Sequence, residues 1–172
     1  DLDQCSASNV LLGNPIVEDE CPISITSIKN DAPTIFPVGT SIVTWSVTDP
    51  GGFTTTTTQK VIVLDNQSPK VKTQNIIVEL NENGMVTITP SQINNGSTDN
   101  CSIKSLELNI TDFDCSKLGE NIVTLTITDV NDNFDVSTAT VTIVDKIKPA
   151  LTVPTIAAQV FNPAKCGAEV TV

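Results

Sequence analysis

The stretch FPVGTSIVTWSVTD at residues 36–49 decides the fold, because it returns 80 residues later as SKLGENIVTLTITD at residues 116–129. KVIVLDNQSPKV at 60–71 returns in the same register as TVTIVDKIKPAL at 140–151. A fixed period of this kind indicates an array of like units. We therefore predict a first repeat at residues 1–66, which lacks its opening strand, and a complete second repeat at 67–147. Residues 148–172 are expected to supply the opening strands of a third repeat, so the chain is expected to be a window on a longer protein.

Apolar and polar residues alternate through the repeated segments. In NIVTLTIT at 121–128, Val123, Leu125 and Ile127 fall on one side, and Ile122 and three threonines fall on the other. A period of two is typical of half-buried strands, and turns such as DPGGF and DVNDNF suit hairpins. Short strands with turns every few residues predict an all-β chain of tandem immunoglobulin-like β-sandwich repeats, with a barrel as the weaker alternative. A single helical turn is expected at 89–93, where Thr89 could cap and Pro90 could begin it.

The charge balance limits the possible partners. Nine basic residues against twenty acidic ones give a net charge of -11. A surface of this sign argues against binding nucleic acid or an anionic bilayer, and it suits divalent cations. No apolar run approaches the roughly 20 residues of a transmembrane helix, so we expect no membrane insertion in this segment. Any anchor or secretion signal is expected outside it.

Five cysteines can be compared through the repeat register. Cys21 and Cys101 are equivalent, and the local partners are Cys5 in the first unit and Cys115 in the second. We predict the disulfides Cys5–Cys21 and Cys101–Cys115, of the structural kind found in oxidising compartments. Cys166 is expected to pair beyond Val172. The alternative is free buried thiols; a zinc site is disfavoured because the chain has no His and no CxxC.

Acidic and amide side chains recur at the predicted junction of the two units. The last strand of the first unit ends at Asp65, and a loop and a hairpin of the second unit are expected to face it. The oxygen-bearing residues of these segments are Asp65, Asp99, Asn100, Asp129, Asn131 and Asp132. Oxygen ligands converging from three segments would suit Ca²⁺, which takes six to eight of them. The alternative is that Asp and Asn here only cap turns.

The combination of motifs resembles a known family. FPVGTSIVTWSVTDPGG followed by VIVLD is similar to the hyalin repeat (HYR), an immunoglobulin-like extracellular module. The second unit, with STDNCSI, DFDCSKLGENIVTLTITDVNDN and ATVTIVD, is more similar to the tandem repeats of SprB-like gliding adhesins on the cell surface of Bacteroidetes. The first copy departs from the pattern by lacking a cysteine in its last strand, and the second lacks Phe-Pro before Gly119.

The resemblance implies a non-catalytic repeat segment of a long secreted or cell-surface adhesin. Such a segment would form a stalk or filament on the bacterial outer surface, serving adhesion or gliding motility. Its implied partners are neighbouring repeats of the same chain, surface polysaccharide or other adhesin chains.

Two other functions were weighed from the residues. An enzyme is disfavoured because the chain has no His, no Tyr and a single Trp, and it shows no phosphate-binding Gly loop. A carbohydrate-binding or spacer module of a secreted enzyme is the stronger alternative. Sugar sites present exposed aromatic rings, and Phe53 and Phe134 are the candidates for this role.

Overall fold

The computed structural model of the chain describes residues 1–23 and 27–155. These residues are mostly β-strand, which confirms the all-β prediction. The first strand group comprises β1 (Ser6–Ser8), β2 (Ile28–Asn30), β3 (Ile35–Pro37), β4 (Gly39–Thr48) and β5 (Thr54–Val63). The second strand group comprises β6 (Ile76–Glu79), β7 (Met85–Thr87), the helical turn α1 (Pro90–Ile93), β8 (Ile103–Leu108), β9 (Asp112–Asp114), a 3₁₀ turn (Cys115–Lys117), β10 (Gly119–Asp129) and β11 (Phe134–Val144).

The second strand group contains a four-stranded sheet in the order β6-β11-β10-β8 and a separate pair, β7-β9. The long hairpin of β10 and β11 is antiparallel, and β6 adds in parallel to the outer edge of β11. Val123, Leu125 and Ile127 are completely buried, whereas Ile122 is 70% exposed, so the predicted alternation is confirmed. The buried core cluster consists of Leu80, Ile88, Ile93, Phe113, Val123, Leu125, Ile127, Ala139, Val141 and Ile143.

The first strand group repeats this pattern with fewer strands. Its sheet has the order β2-β4-β5, and β1 pairs with β3. The hairpin of β4 and β5 pairs Gly39 with Val63 and continues to Thr48 with Thr54. Among the described residues, no strand covers the edge of β5 that corresponds to the edge of β11 held by β6.

Strand pairing stays within each group. All ladders in the described part of the chain join strands of the same group, so none crosses between residues 1–66 and 67–147. The repeat boundaries and the immunoglobulin-like sandwich class stay predictions. Of the expected third repeat, residues 148–155 form no strand and residues 156–172 lie outside the described residues.

The short helical turn forms where the sequence predicts it. Thr89 precedes α1 in extended conformation, and Pro90 is its first residue. The side-chain Oε1 of Gln92 accepts a hydrogen bond of 2.7 Å from the backbone N–H of Thr89. Because a helix start leaves unpaired N–H groups, this bond stabilises the turn.

The disulfide pairing differs from the predicted one. Cys5 is bonded to Cys101, with a Cα–Cα distance of 4.6 Å, and Cys21 and Cys115 are free and exposed. The predicted pairs Cys5–Cys21 and Cys101–Cys115 are therefore wrong. Cys5 lies at the end of the first strand group that faces the second, and Cys101 lies in the loop that faces back, so the bond joins the two groups. Cys166 lies outside the described residues.

Within the described ranges, the helical segments have neither the length nor the apolar character needed to span a bilayer.

Candidate metal centre

Three carboxylates meet where the first strand group joins the second. Asp65 follows β5, Asp99 lies in the loop before β8, and Asp129 ends β10 at its hairpin with β11. One carboxylate oxygen from each residue lies within 4.8 Å of the other two. The structure thus brings together the three acidic residues that the repeat register placed at this junction. We refer to Asp65, Asp99 and Asp129 as the junction cluster.

Local hydrogen bonds fix two members of the cluster by one oxygen each. Asp65 Oδ1 accepts from the backbone N–H of Gln67 at 3.1 Å and from Asn100 Nδ2 at 3.1 Å. Asp99 Oδ2 accepts from the backbone N–H of Cys101 at 2.8 Å. The other oxygens, Asp65 Oδ2 and Asp99 Oδ1, are buried without a hydrogen-bond partner in the described protein. Each side chain therefore uses one oxygen to order its turn and leaves the other unpaired.

Asp129 is the most deeply placed member. It is 0% exposed, and its Oδ1 accepts from the backbone N–H groups of Asn131 and Asn133, both at 2.8 Å. Its Oδ2 accepts from Asn133 Nδ2 at 2.8 Å, and its own N–H donates to the Asn133 carbonyl at 2.9 Å. A side chain with these bonds fixes the hairpin and places a carboxylate inside the junction.

Two asparagines connect the cluster to the linker. Asn100 donates to Asp65, while its Oδ1 is buried and has no partner in the described protein. Asn133 Nδ2 also donates to the backbone carbonyl of Asp65 at 3.2 Å. Asn100 thus keeps one unpaired oxygen, and its role as a ligand stays a prediction. Asn133 was absent from the predicted ligand set, although its position four residues after Asp129 in the same turn could have indicated its role.

The structure does not bring the other two predicted ligands to the cluster. The carboxylate of Asp132 is 75% exposed and forms an ion pair with Lys104 Nζ at 2.5 Å, which raises the pKa of Lys104. Asp132 has a φ of 69°, and this left-handed conformation belongs to the turn itself. Asn131 reaches the cluster only through its backbone N–H, and the residue is exposed.

The electrostatics of the cluster favour a cation. Two carboxylates 4.8 Å apart repel each other by about 3.5 kcal/mol at an effective dielectric constant of ~20. A buried acceptor without a partner costs about 1–3 kcal/mol. The ion pairs of the described residues join Lys70, Lys104 and Lys146 to acids outside the cluster. No lysine in the described part of the chain is therefore in ion-pair contact with the cluster, although the charge of Asp129 helps to raise the pKa of Lys104.

The donor set fits a calcium ion. Calcium binds carboxylate and amide oxygens at about 2.3–2.6 Å, so oxygens on opposite sides of one ion lie roughly 5 Å apart. The 4.8 Å limit on the cluster is of this size. The carboxylates of Asp65, Asp99 and Asp129, with the unpaired amide oxygen of Asn100, would be its ligands. Bound calcium would supply positive charge that cancels the repulsion, without any chemical step.

Contacts outside the cluster also hold the linker. Gln67 Nε2 donates to Asp3 Oδ1 at 2.7 Å, and the Asp3 N–H donates back to Gln67 Oε1 at 3.0 Å. Lys70 pairs with Asp3 at 2.7 Å, and the Lys70 and Thr98 backbones form a bridge. The hydrogen bond from Lys70 lowers the pKa of Asp3. Because the ion pair is exposed, its contribution is small, and the linker is fixed mainly by its backbone and amide bonds.

A scan against models of protein families finds no match for this sequence, and no curated protein matches it.

Proposed function

We propose that this chain is a non-catalytic repeat segment of a long secreted or cell-surface adhesin. In this proposal two immunoglobulin-like repeats stand end to end as part of a stalk or filament, and calcium binds between them. Neighbouring repeats of the same chain are its nearest partners. Surface polysaccharide or other adhesin chains are the partners at a distance, and bacterial gliding is one motion that such a stalk would serve.

The construction of the junction carries this proposal. A disulfide, a short linker bonded on both sides and a cluster of one buried and two partly buried carboxylates all occupy the same interface. Two units that only needed to be tethered would require none of these, since a flexible linker is sufficient for that purpose. A junction fixed three times suits a protein that spans distance. The disulfide favours an oxidising compartment outside the cytoplasm.

X-ray scattering of the purified chain tests the stalk. The four conditions combine calcium or a chelator with an intact or a reduced disulfide. We expect the maximum dimension and flexibility to change little when only one tie is removed, because the other remains. Removing both should give a more flexible chain while far-ultraviolet dichroism stays unchanged, since each sheet keeps its own hydrogen bonds.

Metal analysis separates calcium from the rest of the proposal. Elemental analysis after dialysis should give one calcium per chain, and terbium luminescence should report the same site. An Asp99→Asn variant should lose the metal, whereas Glu107→Gln, which removes an exposed charge on β8, should keep it. A chain that takes up no metal would remove calcium from the proposal. A chain that is equally flexible under all four scattering conditions, including the one with calcium and an intact disulfide, would remove the stalk.

A carbohydrate-binding module is the second candidate, and one observation favours it. The rings of Phe53 and Phe134 are 79% and 62% exposed, next to the β4–β5 and β10–β11 hairpins. Exposed aromatic rings of this kind stack on sugars. Binding to a glycan array that is lost in both Phe53→Ala and Phe134→Ala, but kept in Ile122→Ala, would favour this function over the stalk.

A further inference from the structure

The first strand group carries at its outer end the same loop that holds Cys101 at the junction. Asp19 Oδ1 accepts from the backbone N–H of Cys21 at 2.7 Å, as Asp99 Oδ2 accepts from Cys101 at 2.8 Å. The two turns lie 80 positions apart in the sequence. Cys101 lies at the end of the second group that faces the first. Cys21 therefore lies at the corresponding end of the first group, which faces away from the second.

The adjacent hairpins correspond in the same way. Asp49 Oδ1 accepts from the Phe53 N–H at 2.9 Å, and Asp129 Oδ1 accepts from the Asn133 N–H at 2.8 Å. The backbone of Asp49 also closes its turn onto the Phe53 carbonyl at 3.0 Å. The outer end of the first group thus presents counterparts of Cys101 and of two of the three junction carboxylates, namely Cys21, Asp19 and Asp49.

The end of the second strand group away from the junction resembles the part of the junction that the first group supplies. Asp145 Oδ1 accepts from the Ile147 N–H at 2.9 Å, as Asp65 Oδ1 accepts from Gln67 at 3.1 Å. The turn before β7 closes from the Gly84 N–H to the Asn81 carbonyl at 2.8 Å. The turn before β1 closes similarly, from Gln4 to Asp1 at 3.2 Å. The linker carboxylate and the turn beside it therefore recur where the second group ends.

Cys115 lies beside Gly84, the residue of the second group that corresponds to Cys5 of the first. Cys5 immediately precedes β1 and accepts a hydrogen bond from Val38, which follows β3. Gly84 immediately precedes β7, and Cys115 follows β9, the strand paired with β7. A Cβ atom added to Gly84 would lie 2.8 Å from Cys115 Sγ. The Cys115 sulfur thus comes from the neighbouring strand, but it lies where a side chain at the Gly84 position would lie, at the end of the second group away from the junction.

We propose that Cys115 and Cys21 are the counterparts of Cys5 and Cys101, and that each forms the equivalent disulfide with a neighbouring unit. Cys115 bonds to the cysteine at the starting end of a following unit of this kind. That cysteine belongs either to a further repeat of the same polypeptide or to Cys21 of a second copy of the chain. The inference rests on the proposed stalk and names the contact by which it grows. Because the two ends differ, the association is head to tail and open-ended.

The bond forms by two thiol–disulfide exchanges with a small disulfide such as oxidised glutathione. The Cys115 thiolate attacks one sulfur of glutathione disulfide and expels one glutathione thiolate. The thiolate of the second cysteine then attacks the Cys115 sulfur of the mixed disulfide and expels the other. Two cysteines are oxidised, one glutathione disulfide is reduced to two thiols, and the two cysteine protons are taken up by the leaving thiolates.

Single-cysteine variants of the full chain test the pairing. In a Cys166→Ser background, glutathione disulfide should convert the chain into a ladder of oligomers on a non-reducing gel. Peptide mapping should find Cys115 linked to Cys21. Neither Cys21→Ser nor Cys115→Ser should form the ladder alone. An equimolar mixture of the two should stop at a dimer, at least tenfold more abundant than in either variant by itself.

A second arm distinguishes the two sources of the partner cysteine. A Cys21→Ser, Cys166→Ser chain in which residues 65–147 are duplicated directly after Val144 supplies a following repeat within the same polypeptide and removes the alternative partner. A link from Cys115 to the duplicated copy of Cys101 supports the following repeat as the partner. If Cys115 stays free in this chain while the Cys166→Ser chain forms the ladder, the second copy is the partner.

The proposal is overturned if both arms leave Cys21 and Cys115 free to alkylation, or if Cys21→Ser alone dimerises through Cys115. Either result would leave the calcium and scattering tests of the stalk untouched, so the two failures can be told apart.

Discussion

Neutralising one member of the junction cluster should stabilise the chain without calcium and remove its response to calcium. Asp99→Asn keeps an oxygen for the Cys101 N–H and places an amide where Asp99 Oδ1 now lies unpaired. It removes two of the three carboxylate repulsions, each about 3.5 kcal/mol at a separation of 4.8 Å and a dielectric constant of ~20. Because Asp65 and Asp99 are partly exposed, solvent reduces this to a net gain of about 2–3 kcal/mol. For a chain of this size the midpoint of thermal unfolding should rise by roughly 4–12 °C in chelator.

Calcium should reverse the order of stability. At a concentration one thousand times its dissociation constant, calcium stabilises the wild-type chain by about 4.1 kcal/mol, which exceeds the gain of about 2–3 kcal/mol from the substitution, and Asp99→Asn should gain far less from calcium. Differential scanning calorimetry of both chains, in chelator and in calcium, measures the crossing. Glu107→Gln removes the same formal charge from an exposed position on β8 and should follow the wild type. If Asp99→Asn is no more stable than the wild type in chelator, or if calcium raises both midpoints equally, the electrostatic account is refuted.

Three further outcomes are expected. Ile127→Ala should lower the free energy of unfolding by about 2–5 kcal/mol in urea denaturation, because Ile127 is 0% exposed. Ile122→Ala, at a position 70% exposed, should change it by about 0.5 kcal/mol or less. Equal effects would contradict the assigned faces of β10. Replacing Cys5 and Cys101 together by Ser should lower the free energy of unfolding by about 4–5 kcal/mol, because the bond closes a sequence separation of 96 residues. Cys115→Ser should leave the urea midpoint unchanged, because Cys115 is free. Equal urea midpoints for the reduced and the oxidised wild type would count against a stabilising disulfide. The hydroxyls of Thr87 and Thr111 lower the pKa of Asp112. The stability that this carboxylate contributes is therefore complete above its ordinary pKa and is lost as pH falls through the lower folded value. In carboxyl NMR titration Thr87→Val should raise the pKa of Asp112, and an unchanged titration would reject the assignment.

The strands and the junction could be predicted from sequence because they depend on local pattern. The period of two in 121–128 correctly gave the buried face of β10, and Thr89 with Pro90 correctly marked α1. The convergence of Asp65, Asp99 and Asp129 followed from the direction of the strands, which decides which loops share an end. Asp132 was misassigned because alternation does not predict where a side chain points inside a tight turn with positive φ.

The disulfide was missed because pairing was sought within each repeat. The information for the observed bond was nevertheless present. Asp99 and Cys101 are two residues apart, and the loop that holds them was expected to face the preceding unit. A cysteine in that loop has its nearest partner across the junction, so Cys5 was the consistent choice. Shared sequence position was given more weight than shared location.

The Cys5–Cys101 bond also determines how the chain would carry tension. A pull between its two ends passes from Cys5 directly to Cys101, so the linker and the whole first sheet lie outside the force path. Once that bond is broken, unfolding of the chain between the two cysteines under tension can add a contour of about 330 Å, at ~3.4 Å per residue over a separation of 96 residues. The oxidised chain should therefore behave as a short, stiff tether, and the local redox potential would set its reach.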